Sequence, residues 1–181
     1  FPYTTLFRSE GMSLEASAEA SLESLDAILK EHGDTIAACI VEPIQGNGGM
    51  NTPPHDFFVK LKARLEAYGV LLIVDEVQTG FARTGSFFAI EQFGVVPDII
   101  TYAKALGNGT PIGAFSARPE VALSFNKPSA STLGGNPIST TAGLAVLGYI
   151  ESHHLVARSR ELGDKLRKGL EALCEIGRAH V

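Results

Sequence analysis

Several features are missing from this sequence, and each absence removes a class of function. There is no basic stretch, and the net charge is -5, which argues against a nucleic-acid partner. No apolar run approaches the about 20 residues that a membrane helix needs, and no signal-peptide pattern is present. Cysteine is scarce: Cys39 and Cys174 are far apart, and Cys39 lies inside an apolar run that reads as a buried strand. A reduced, cytoplasmic setting is therefore the expectation. The five histidines have spacings that fit no ligand set, so no metal site is expected, and His153-His154 reads as a solvated helix end. Repeats, linkers and low-complexity segments are also missing, which leaves one continuous architecture.

The two ends look foreign. Phe1 to Ser9 (FPYTTLFRS) and Glu175 to Val181 (EIGRAHV) resemble in-frame translations of short-read sequencing adaptors, which places the native segment at about residues 10–174. That length suits one domain or a large part of one. A balance of 45% hydrophobic to 19% charged residues is enough to bury a core.

Along the chain, Leu22, Leu25, Ile28 and Leu29 recur at helical spacing between Ser17 and His32, with Gly33 as a stop. Ile36 to Val41 is short, continuous and apolar, so it reads as a strand covered on both faces. A Gly- and Asn-rich loop (46–51) leads to a second helix with Phe58, Leu61, Leu65 and Tyr68 on one side, closed by Gly69. Val70 to Val74 is another buried strand, ended by Asp75-Glu76. A short helical stretch follows, then Pro97-Asp98 introduces a third strand, IITYA, ended by Lys104. A fourth strand is predicted at Ile112 to Ala117, a long helix from Gly134-Gly135-Asn136-Pro137 to about Ser152, and a last helix over Leu155 to Leu173. Strands alternating with helices in this way predict an α/β fold: a mostly parallel sheet with helices on both faces.

Ligands of open parallel sheets bind outside the carboxyl ends of the strands. Glu42, Asp75 and Lys104 each follow an apolar run directly, so the sheet would bring two acids and one amine to one edge. A single polar residue at a strand end means little, since any strand leaving a core meets one. Three together, with a lysine beside an acid, suit Schiff-base chemistry, because a lysine next to a core becomes a nucleophilic amine. The glycines around these positions do not form a dinucleotide fingerprint or a phosphate loop. Ser131-Thr132-Leu133-Gly134-Gly135-Asn136-Pro137, ahead of a helix, suits either a bound phosphate or a simple N-terminal cap with proline in the first turn.

Four segments carry a resemblance: VEPIQGNGG (41–49), LLIVDEVQTGFARTG (71–85), PDIITYAKALGNGTPIGA (97–114) and STLGGNP (131–137). In this order and spacing they resemble the class III (ω-amino-acid type) aminotransferases of the type I pyridoxal-phosphate fold, especially the alanine-glyoxylate, acetylornithine and 4-aminobutyrate branches. The resemblance implies a three-layer α/β/α large domain over residues 10–152, with the start of a small C-terminal domain at 153–174. It implies pyridoxal 5'-phosphate as cofactor and Lys104 as the residue that holds it as a Schiff base and then moves the proton. Asp75 is similar to the acid paired with the pyridine nitrogen, keeping it protonated so that the ring draws in electrons. By the same resemblance, Val77 packs on the ring face and Gln78 hydrogen-bonds the phenolic oxygen. Thr132 reaches the phosphate of a neighbouring subunit's cofactor, which implies a homodimer with shared sites. Glu42 resembles a glutamate that pairs with an arginine and releases it when an α-carboxylate binds. Two positions depart from the family pattern: Ala82 where glycine is commoner, and Leu133 where phenylalanine is commoner. Arg83 suits bracing a loop as well as it suits meeting substrate.

The activity implied is ping-pong transfer of an amino group from an amino acid to a 2-oxo acid. An aminomutase or decarboxylase of the same superfamily would share most of these residues. As an isolated truncated fragment, the polypeptide lacks the upstream phosphate cup and the ring-stacking aromatic, and is expected to be inactive, poorly soluble and weak in cofactor binding.

Overall fold

The computed structural model of the chain describes residues 11–177, with side chains up to 174. The two end stretches read as adaptor translations therefore lie outside the described residues, apart from the helical backbone of 175–177.

Helix α1 (Leu14–His32) starts where Ser13 caps it, the Ser13 hydroxyl accepting from Ala16 N at 3.1 Å. Its buried stripe includes Ala18, Leu22 and Leu29. Helix α2 (Phe57–Ala67) buries Phe58, Leu61 and Leu65, but the expected Tyr68 falls past its end and is half exposed. Four strands follow the apolar runs: β1 (Ala38–Val41), β2 (Leu71–Asp75), β3 (Ile99–Tyr102) and β4 (Ala114–Ala117). They form one sheet in the order β1-β2-β3-β4. The first two pairings are parallel and the last antiparallel, so the fourth strand is an antiparallel edge on a mostly parallel sheet. The short helical stretch before β3 is a 3₁₀ turn at Ala89–Phe93. A short helix that the sequence pattern did not reveal, α3 (Pro119–Ser124), buries no side chain. Helix α4 (Pro137–Ser152) and helix α5 (Leu155–Gly177) complete the chain.

The core lies against one face of the sheet. Register pairs Cys39 with Leu72 and Val41 with Val74, and these face Leu22, Leu29, Phe58, Leu61, Leu65 and Phe93. Phe58 is fully buried and meets Phe57 and Phe93 at ring distances of 5.5 and 4.9 Å. Burying each such side chain contributes about 1.5–3 kcal/mol. The same burial pushes the Cys39 thiol pKa above its ordinary value. Asp98 fixes the entry to β3. Its buried carboxylate accepts from Leu72 N at 2.8 Å and pairs with Arg118 at 3.0 Å, while its carbonyl accepts from Arg118 N.

The opposite face is partly open. Strand parity puts Ile40, Ile73, Asp75, Thr101 and Phe115 there, and Ile40 is 60% and Phe115 72% exposed. The expectation that residues 36–41 are covered on both faces is thus corrected for β1: Val41 is buried, but Ile40 has no cover.

Candidate active site

The two parallel pairings bring three strand ends to one rim. Asp75 ends β2 and stands in register with Thr101, and Lys104 lies three residues beyond Thr101 along the parallel strand β3. Asp75 and Lys104 therefore leave the sheet on the same side. Glu42, directly after Val41, joins them, since Val41 is in register with Val74.

Each residue is held by its own local structure. The Asp75 carboxylate accepts from Val77 N at 2.9 Å, which turns the chain sharply out of β2. Lys104 is exposed and opens a 3₁₀ turn, Lys104–Leu106, with φ +43°, a left-handed conformation that costs a non-glycine residue about 1–2 kcal/mol. That turn is anchored by Leu106, which is buried and lies 3.6 Å from the position a Cβ would take on Gly143 of α4. Glu42 accepts from Gly46 N at 3.2 Å, and Gly46 is pressed against Gln78: a Cβ there would sit 2.5 Å from Gln78 Nε2. The loops after β1 and β2 thus meet where Gly46 touches the end of the Gln78 side chain. Val77 and Gln78 are both partly buried.

The residues differ in how far the fold gathers them. Asp75, Val77 and Gln78 share one segment at the rim, Lys104 stands on the neighbouring strand end, and Glu42 reaches Gln78 through Gly46. Thr132 is apart from them: it is exposed in the loop before α4, beside Leu133 at 77% exposure. In that loop Ser131 Oγ accepts from Gly134 N, and Asn136 caps the helix by accepting from Ser139 N at 3.0 Å. The cap reading of this motif is therefore met by Asn136, with Pro137 in the first turn.

Two features escaped the sequence reading. Glu76 is fully buried; its carboxylate accepts from the Thr79 hydroxyl, from Ile90 N at 2.8 Å and from Ala89 N, closing the base of the loop that follows Asp75. Burial pushes its pKa up, against those three bonds, which pull it down. Period-two parity was the available signal, since 72, 74 and 76 share the core face. The second is an aromatic cluster: Phe88 stacks on Tyr102 at 5.2 Å, with Phe81 at 5.8 Å from Tyr102, so the loop after Asp75 packs on the strand that leads to Lys104. In this loop Ala82 has φ +70°, which is why glycine is the easier residue there.

The rim fits pyridoxal phosphate in its donor set. The amine of Lys104, the carboxylate of Asp75 and the amide of Gln78 all belong to segments that leave this rim. Thr101 Oγ1, in register with Asp75, is buried with no hydrogen-bond partner in the protein, and such a group calls for one. Among the described residues, no helix is long and apolar enough to cross a membrane.

A sheet with this rim is that of the type I pyridoxal-phosphate transferases, and solved transaminases superpose on it. An (S)-enantioselective omega-transaminase from Thermomicrobium roseum gives a TM-score of 0.83 at 35% identity, over 94% of this chain and 40% of that one. An ornithine aminotransferase from Toxoplasma gondii gives 0.77 at 36%, over 83% and 35%. A family model, aminotransferase class-III, matches residues 2–178, and the chain belongs to that family. Among curated relatives, an acetylornithine aminotransferase from Aquifex aeolicus is 44% identical over 163 residues, covering 90% of this chain and 42% of that protein. A leucine/methionine racemase from Thermococcus litoralis is 48% identical over 145 residues, covering 80% and 33%. The chain spans about a third to two-fifths of the length of these relatives.

Proposed function

We propose that the protein containing this segment is a pyridoxal-phosphate-dependent aminotransferase that moves an amino group from an amino acid to a 2-oxo acid, with Lys104 as its catalytic amine. The single observation that carries the reading is the parallel register of Asp75 with Thr101, which sends the carboxylate and the Lys104 amine off one rim. The bound cofactor supplies an electron sink for the pair left on the substrate carbon when a proton departs. Lys104 Nζ would hold the cofactor and, when free, would take and return that proton. The Asp75 carboxylate, oriented by Val77 N, would hold a proton on the ring nitrogen. Gln78 would donate to the phenolic oxygen, and Val77 would cover a ring face. Thr132, exposed ahead of α4, suits a phosphate belonging to a second subunit, which makes the active species a homodimer, and the scarcity of cysteine suits the cytoplasm. Glu42 suits an arginine-gated choice between two substrates. Residues 10–152 form part of a large domain and α5 begins a smaller one.

The test is Lys104→Ala in the full reading frame that contains this segment. It is expected to lose both the visible absorbance of the bound cofactor and amino transfer; persistence of either overturns the assignment. Asp75→Asn, which keeps an acceptor for Val77 N, is expected to retain the cofactor but to slow transfer by about 100-fold or more. A second reading, racemisation, is favoured by the 48% identity to the racemase. It predicts loss of optical activity from a single L-amino acid with no 2-oxo acid present, where transamination predicts none.

A further inference from the structure

The segment that carries Val77 and Gln78 runs on to the turn Arg83-Thr84-Gly85, and α5 grips that turn from outside. Arg160 donates from Nε and Nη2 to the Gly85 carbonyl, at 3.0 and 2.6 Å. Ser159 Oγ, one residue earlier on the helix, donates to the Arg83 carbonyl at 3.3 Å. Gly85 has φ +83°, and a Cβ on it would lie 3.1 Å from Arg160 Cβ and 3.2 Å from its Cα. Turn shape and close helix approach therefore both depend on glycine there.

The backbone of this turn is strained. Phe81 and Ala82 both have left-handed backbone, at φ +63° and +70°, and the turn's own bond from Gly85 N to Ala82 O is long, at 3.4 Å. The remaining support comes from Ala82 N on Phe87 O, the Gln92 amide on Thr84, and the Phe81 ring against Phe87, Phe88 and Tyr102. A guanidinium that places two charge-assisted hydrogen bonds on one carbonyl is the strongest of these contacts, and it comes from 75 residues away.

We infer that Arg160 is a positioning residue. It latches the 83–85 turn to α5 and so holds the strained segment, with Val77 and Gln78 at its other end, in place at the cofactor rim. The inference rests on the pyridoxal-phosphate reading proposed above. On this account the placement of α5 is coupled to the rim through one side chain. Loosening the latch frees Gln78 from its seat against Gly46 and changes the environment of the cofactor's phenolic oxygen.

The experiment uses the full reading frame with Arg160→Ala and Arg160→Lys. In the cofactor-free protein, amide exchange over residues 81–86 is expected to rise about tenfold in Arg160→Ala while 71–75 stays unchanged. In the loaded protein, the pyridoxal-phosphate concentration for half-saturation is expected to rise about tenfold. The pH midpoint of the bound cofactor's visible absorbance should also move. Arg160→Lys keeps the stem and charge without the fork and should recover part of each effect; it carries the test alone if the alanine variant does not fold. Unchanged exchange at 81–86 overturns the latch. Faster exchange with an unmoved affinity and pH midpoint shows a brace for α5 only, and overturns the positioning role. A wild-type protein that takes up no pyridoxal phosphate sinks the cofactor reading, and the positioning role with it, before any variant is compared.

Discussion

Replacing Glu76 by glutamine separates the electrostatic cost of this buried carboxylate from its structural use. The side chain is fully buried and holds the Thr79 hydroxyl and the Ile90 and Ala89 amides, with no ion pair to a basic residue. Burial is the largest influence on it and raises its pKa above the ordinary 4.5, with Glu91 adding slightly in the same direction. The folded protein therefore holds the Glu76 proton over a pH range in which the unfolded chain has lost it. The stability so contributed is fully present below pH 4.5 and is lost as pH rises through the higher folded pKa. Glutamine keeps an acceptor and does not titrate. Each unit by which the folded pKa exceeds the unfolded one favours Glu76→Gln by about 1.4 kcal/mol at neutral pH relative to acid. Alanine instead leaves the Ile90 and Ala89 amides without an acceptor, at about 1–3 kcal/mol each, at any pH. Urea denaturation of the cofactor-free full reading frame at about pH 4 and about pH 7.5 measures both effects. The reasoning is refuted if Glu76→Gln gains no stability relative to wild type, or loses some, on going from acid to neutral pH.

Three further substitutions test the framework around the rim. Asp98→Ala removes the acceptor for Leu72 N and the partner of Arg118, and is expected to cost about 2–3 kcal/mol in urea denaturation; a loss below about 0.5 kcal/mol contradicts the account of how β3 is entered. Phe58→Ala, at a fully buried ring packed on Phe57 and Phe93, should cost about 3–5 kcal/mol by the same measurement. Asn136→Ala should lower stability by about 1 kcal/mol, read from the thermal midpoint, with Asn136→Ser restoring most of it; no change would mean that the Ser139 N bond is not a working cap.

The sheet was legible because its strands are short apolar runs closed by charged residues, and the helices because their apolar stripes keep a helical period. Parity along 72, 74 and 76 would also have marked Glu76 as core-facing, yet its neighbour Asp75 drew the attention. The limits were tertiary. Exposure of Ile40 depends on what packs over a sheet face, which no local pattern records. The antiparallel direction of β4 follows from a connection that carries no crossover helix between Tyr102 and Ala114. The grip of Arg160 on Gly85 joins positions 75 residues apart, and a solvent-facing arginine on a helix gives no sign of its partner. Lys104 and Asp75 were nameable because strand-end position and family motif coincide there, and Gln78 from the motif alone, whereas the joining of Glu42 to Gln78 through Gly46 needed coordinates.

Reduction with borohydride of the full reading frame loaded with pyridoxal phosphate, followed by peptide mass mapping, tests the central claim most directly. The account predicts a single pyridoxyl mark, on Lys104, that is lost in Lys104→Ala. A stable mark on another lysine, such as Lys62 or Lys127, with residue 104 unmodified, would contradict it.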